Sequence, residues 1–139
     1  MLLVEDNPAD ARLVLEAFKE SSHNLSIQIQ VAQDGEEALE YLKKEKDFCY
    51  ATTPDLVLLD LNLPKKNGIE VLQEIKEDEN LKKIPVIVLS TSNNQDDINK
   101  AYQNHANCYL SKPLDFNEFQ DLIKVVQDFW LLKVQKPQI

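Results

Sequence analysis

Two short, unbroken apolar runs constrain the fold of this chain most: Leu56-Val57-Leu58-Leu59, and Val86-Ile87-Val88-Leu89 opened by Pro85. Such a run without alternation fits a strand covered on both faces, and strands of that kind belong to parallel sheets. The rest of the chain supplies the covers. Leu2-Leu3-Val4 ends at Glu5-Asp6, and Asn7-Pro8 then opens a helix with proline at its first position, carrying Ala11, Val14, Leu15 and Phe18 at helical spacing. Ile27, Ile29 and Val31 alternate with Gln28 and Gln30, the pattern of a strand with one wetter face. After the Asp34-Gly35 turn, Asp34 caps a helix carrying Ala38, Leu39 and Leu42. A third helix carries Ile69, Val71, Leu72 and Ile75, and a fourth starts at Asp96 and carries Ile98, Ala101 and Tyr102. Cys108-Tyr109-Leu110 makes a fifth strand, and Phe116, Phe119, Leu122, Ile123, Val126, Phe129 and Trp130 line the last helix.

The strands then end near positions 6, 32, 60, 90 and 111, spaced by 21 to 30 residues. That is the room a helical crossover needs between parallel strands. Right-handed crossovers place helices on both faces. The expected fold is a three-layer α/β/α domain, (βα)5, around a five-stranded parallel sheet, over residues 1–132. Residues 133–139 form a short tail, too short for an output domain.

Composition narrows the function. Fifteen Lys and Arg against 24 Asp and Glu give a net charge of −9. A surface of that sign is repelled by phosphate backbones and anionic lipid, so neither nucleic acid nor membrane is an expected partner. The only two glycines, Gly35 and Gly68, exclude a glycine-rich dinucleotide or nucleotide-phosphate loop. Cys49 and Cys108 match no zinc or CxxC spacing, and no apolar run approaches the roughly 20 residues of a membrane span. Two reduced thiols in a cytoplasmic protein are expected.

In an open parallel sheet the ligand site lies at the carboxyl ends of the strands. The residues just past the apolar runs are Glu5 and Asp6, Asp60, Ser90 and Lys112. Three carboxylates and one ammonium leave a surplus of two negative charges. Like charges within about 4 Å repel by roughly 4 kcal/mol per pair at an effective dielectric near 20. Such a cluster raises carboxylate pKa values or binds a cation. A hard divalent ion, Mg²⁺, fits the oxygen donors better than zinc does. An ionised aspartate beside a metal and a lysine suits attack on phosphorus and an aspartyl phosphate. Asp60, after the unbroken buried run Leu56–Leu59, is the candidate nucleophile, Glu5 and Asp6 suit a metal-holding pair, and Ser90 offers a hydroxyl donor.

The runs Val4-Glu5-Asp6, Asp60-Leu61-Asn62-Leu63-Pro64 with Gly68, Leu89-Ser90-Thr91 and Tyr109-Leu110-Ser111-Lys112-Pro113 together resemble the receiver domain of bacterial two-component response regulators. The resemblance covers nearly the whole chain and implies a flavodoxin-like fold. It implies that Asp60 accepts a phosphoryl group from a sensor histidine kinase. It also implies that Asp6, Asp60 and the main-chain carbonyl of Asn62 ligate Mg²⁺, with Glu5 acting through water. Ser90 and Tyr109 are then the switch pair, and Lys112, before a cis Pro113, contacts the phosphoryl group. Asn107–Lys112 and the Phe129–Leu131 ending are similar to single-domain regulators partnered with cyanobacterial phytochromes. Thr91 stands where the family usually has Ala, which narrows access to Asp60, and the family usually carries a few residues before the first strand, which leaves open whether Met1 is the natural start.

Blander readings compete at each position. Glu5-Asp6 alone is a solvated turn, Asp60 a loop acid, Ser90 an ordinary strand end and Tyr109 plain core packing. The company of the other residues favours the site. Phe129 and Trp130 are adjacent on a helix and cannot both face one core, so one of them suits a homodimer contact through the fourth helix, fifth strand and fifth helix. His23 and His105 have no evident partners and receive no role. Two other functions fit the fold. One is an Asp-nucleophile phosphatase, disfavoured because Asn62 stands where that chemistry needs an acid. The other is a receiver-like binding module that takes no phosphate. The expected protein is therefore not an enzyme beyond its own phosphorylation and dephosphorylation.

Overall fold

The computed structural model describes residues 1–21, 27–133, 135 and 137, and of residues 21, 132 and 133 only the backbone. His23 and most of the tail past Lys133 lie outside the described residues. Five strands, β1 (Leu2–Val4), β2 (Gln30–Ala32), β3 (Val57–Leu59), β4 (Val86–Ser90) and β5 (Cys108–Ser111), pair in parallel in the order β2-β1-β3-β4-β5. Five helices alternate with them: α1 (Pro8–Ser21), α2 (Gly35–Lys43), α3 (Gly68–Glu77), α4 (Gln95–Gln103) and α5 (Phe116–Val126). A π-helical stretch, Gln127–Lys133, continues α5.

Period-two alternation divides each buried strand between two cores. Leu2, Val4, Val57, Leu59, Val86 and Val88 pack with Ala38, Leu42, Val71, Leu72, Ile75 and Ala101, so α2, α3 and α4 cover that face. Leu3, Leu58, Ile87 and Leu89 point the other way, onto Ala11, Val14, Phe18, Phe119, Ile123 and Val126 of α1 and α5. This two-sided burial is what the unbroken apolar runs demand.

Four of the five helices start on a side-chain cap, α5 being the exception. Asn7 Oδ1 accepts from the Ala9 and Asp10 amides, Asp34 from Glu37 N and Asn67 from Glu70 N. Asn94 Oδ1 accepts from Asp96 N, so α4 begins one residue before the Asp96 expected from sequence. Ile27 and Ile29 were expected in β2, but the ladder holds only Gln30–Ala32, because β1 pairs through Leu2–Val4 alone. Both isoleucines still pack against the α1/α5 core. All described peptide bonds are trans, including Lys112–Pro113, where the resemblance implied cis. The trans bond still leaves Lys112 directed inward, with its side chain 8% exposed.

The chain leaves β1 for β2 on one side and later returns to β3 on the other. The strand order therefore reverses between β1 and β3, and a crevice opens past their carboxyl ends.

Candidate functional site

Glu5 and Asp6 follow β1, and Asp60 follows β3, one step past the last paired residues. The sheet's hydrogen bonds reach that far: Glu5 N donates to Ala32 O at 3.0 Å and Asp60 N to Val4 O at 3.1 Å. Backbone on both sides of the switch point is therefore fixed where the acids emerge. One carboxylate oxygen from each of Glu5, Asp6 and Asp60 lies within 4.8 Å of the others. Asp60 Oδ1 accepts from Asn62 N at 3.3 Å, which curls the loop after β3 around the acid.

Lys112 enters from the end of β5, where its amide donates to Ser90 O at 2.7 Å. Its Nζ donates to Glu5 Oε1 at 2.6 Å and to Asp10 Oδ2 at 3.3 Å, and lies 4.0 Å from Asp60 Oδ2. The ammonium thus rests mainly on Glu5. Glu5 is 3% exposed, and burial pushes its carboxyl up to about 7. The Asp60 charge pushes the same way, and the Lys112 hydrogen bond only partly opposes them. Burial pulls the Lys112 amine down, but the Glu5 hydrogen bond and the charges of Glu5, Asp60 and Asp10 outweigh it and hold the amine above its ordinary value. Glu5 is raised first by its burial, whereas Lys112 is raised by the three acids around it, Glu5, Asp60 and Asp10. Counting Asp6, the crevice holds four acids to one ammonium, a formal surplus of three negative charges. The sequence-based count was two, because Asp10 was not in it.

Ser90 is fully buried at the end of β4, and its Oγ accepts from Ser92 N at 3.2 Å. Tyr109 is half-buried against the α2–α4 core, and its hydroxyl donates to Ser92 O at 2.8 Å. Ser90 and Tyr109 therefore meet at the same residue of the β4–α4 loop. Ser92 Oγ donates in turn to Asp97 Oδ2 at 2.6 Å, and Ser111 Oγ to Asn93 Oδ1 at 2.6 Å. The side chains of Asn62 and Thr91 are exposed beside the crevice.

Sequence reasoning missed two residues. Asp10 belongs to the first turn of α1, whose start at Asn7-Pro8 was legible, and a first-turn acid stands beside the preceding strand end. Ser92 carries no signal of its own, since its role comes from where the loop folds back. Among the described residues the two cysteines are free thiols, and no helix is long and apolar enough to cross a membrane.

Relatives of known structure share this arrangement of strands and helices. Response regulator Rcp1 of Synechocystis is 43% identical over 137 residues, covering 99% of this chain and 92% of that one. The probable methanogenesis regulatory protein FilR2 of Methanothrix harundinacea is 44% identical over 94% of this chain and 83% of its own. Among solved structures, the phosphorylated cyanobacterial phytochrome response regulator RcpA superposes with a TM-score of 0.94 at 47% identity, over 99% of this chain and 96% of that one. The Mn²⁺-bound form of Rcp1 superposes with a TM-score of 0.92 at 42% identity, over 99% and 97%. Residues 1–124 match the response regulator receiver domain, and the chain belongs to that family.

Proposed function

We propose that this receiver takes a phosphoryl group from a phosphohistidine of a sensor kinase onto Asp60. The convergence of the Glu5, Asp6 and Asp60 oxygens within 4.8 Å, with the Lys112 ammonium at their side, carries this reading. An Asp60 carboxylate oxygen forms the O–P bond as the P–N bond of the phosphohistidine breaks, and the departing imidazole takes its proton from solvent. Lys112 and the Ser90 hydroxyl hold the phosphoryl oxygens. Hydrolysis later returns phosphate and the free Asp60 carboxylate.

The donor set suits Mg²⁺, since all its oxygens are hard and the surplus negative charge is of the size a divalent ion offsets. Asp6, Asp60 and the Asn62 carbonyl would hold it, with Glu5 alongside. Bound there, the metal would neutralise charge on the transferring group.

A new dianion at Asp60 draws the Ser90 hydroxyl toward it, and Ser92 links that movement to Tyr109. The face built from α4, β5 and α5 then changes, a local charge event biasing a two-state surface. A phytochrome-type kinase is the proposed donor, on the likeness to Rcp1 and RcpA. A second copy of the chain is a proposed target of the changed face. Phe129, 51% exposed, suits that contact, whereas Trp130 is half-buried against the α1/α5 core. The reading treats residues 1–132 as one receiver that signals through partners and is not an enzyme with a separate substrate.

The test is incubation with Mg²⁺ and acetyl phosphate followed by intact-mass measurement. One phosphate adduct is expected, and none on Asp60→Asn. No adduct, or one that survives Asp60→Asn, overturns the reading in favour of a binding module.

A further inference from the structure

Lys112 has three ammonium protons and two close acceptors. Glu5 Oε1 takes one at 2.6 Å and Asp10 Oδ2 a second at 3.3 Å, while Asp60 Oδ2, at 4.0 Å, is beyond hydrogen-bond reach. Two fixed acceptors determine where the third N–H of a tetrahedral ammonium points. A Lys tip with one acceptor swings about that bond, since its stem is flexible and its charge undirected. Asp10 is well placed to stop the swing. It is the third residue of α1, its amide is tied to Asn7 Oδ1 at 3.3 Å, and its acid sits in the first turn, where the helix dipole favours it. Its carboxylate comes from a different element than Glu5, so the two acceptors hold the ammonium from two directions.

We propose that Asp10 is a positioning residue for phosphoryl transfer, sharing the Lys112 ammonium with Glu5 so that its third proton is aimed at the oxygens of a group arriving on Asp60. The inference rests on the phosphoacceptor reading of Asp60. A donor aimed in advance needs no reorganisation when charge arrives, which is how fixed groups contribute to transfer. Asp10 also adds a negative charge to a site that must receive an anion. Charge alone would make its removal speed phosphorylation, whereas loss of positioning slows it. The sign of the effect therefore separates the two roles.

The experiment compares the rate of adduct formation from acetyl phosphate and Mg²⁺ in the full chain, with Asp10→Ala and Asp10→Asn, each made in the native and the Lys112→Ala background. Asp10 is 35% exposed at its side chain, so both variants are expected to fold, and thermal melts check that they do. Asp10→Ala is expected to slow phosphorylation about two- to fivefold, the range of a partly exposed ion pair. Asp10→Asn, which keeps an acceptor oxygen, should retain most of the rate. With Lys112→Ala the slowing should vanish. Unchanged or faster phosphorylation of Asp10→Ala overturns the proposal, and so does equal slowing in both backgrounds. An adduct that forms on Asp60 but ignores Asp10 sinks only this inference, whereas absence of any adduct on the native chain sinks the phosphoacceptor reading itself.

Discussion

Glu5 shows how far a single side chain can be moved by its surroundings. It is hydrogen-bonded to an ammonium at 2.6 Å, yet burial and the neighbouring acid keep its carboxyl near 7, above the ordinary 4.5. The folded state therefore binds this proton more tightly than the unfolded chain does. The resulting stability is fully present below about pH 4.5 and is lost as pH rises through about 7. Without divalent metal, Glu5→Gln should gain stability relative to the native protein as pH rises across that window. Urea melts in chelator at several pH values measure it, and a constant difference would show that Glu5 does not titrate there. Asp60 and Lys112 could be named from the chain alone, because Asp60 directly follows an apolar run and Lys112 stands one residue past another, before Pro113. Their pairing could not, because Lys112 chooses Glu5 and Asp10 over Asp60 by distances that only the folded crevice sets.

Elements carry the next layer of constraint. Gly68 opens α3 against the loop that bears Asp60: a Cβ there would lie 2.5 Å from Asp60 O and from Leu61 Cα, both main chain. Only glycine lets α3 start that close, and the Gly68 amide also donates to Leu61 O at 2.9 Å. Gly68→Ala should cost about 1–3 kcal/mol, the range for overpacking, read as a lower urea midpoint. It should also slow phosphorylation by displacing Asp60. A native urea midpoint would mean the loop moves aside freely. His105 gives the opposite case. It sits at a φ of 69° after α4, where its amide bonds to Tyr102 O and the Ala106 amide to Ala101 O, a Schellman ending that prefers glycine. An L-residue there costs roughly 1–2 kcal/mol, part of it recovered by the stiffer unfolded chain, so His105→Gly should stabilise by about 0.5–1 kcal/mol in the same melts. The histidine without a sequence role thus has a backbone one. Caps such as Asn7 and Asp34 were legible because they act within four residues. The short β2 was not, because how much of Ile27–Val31 joins the sheet depends on the partner strand.

For the whole molecule, one sheet serves two cores and one crevice. The proposed second copy makes a prediction at this scale. The apparent mass of the phosphorylated protein in sedimentation should rise with concentration, and Phe129→Asp should abolish the rise. The melting temperature should change little, because Phe129 is half exposed. A rise that persists in Phe129→Asp would place the contact elsewhere. The sequence by itself determined the parallel sheet, the alternation of elements and the acids, hydroxyl and lysine at the strand ends. Those features follow from hydrophobic period and from turn and cap chemistry, which are local. Tertiary structure alone decided that Asp10 shares the ammonium, that Ser90 and Tyr109 meet at Ser92, and that Phe129 rather than Trp130 faces out. Those depend on residues distant in the chain arriving together, and on the helical register past Val126, where the turn widens and no local pattern marks the change.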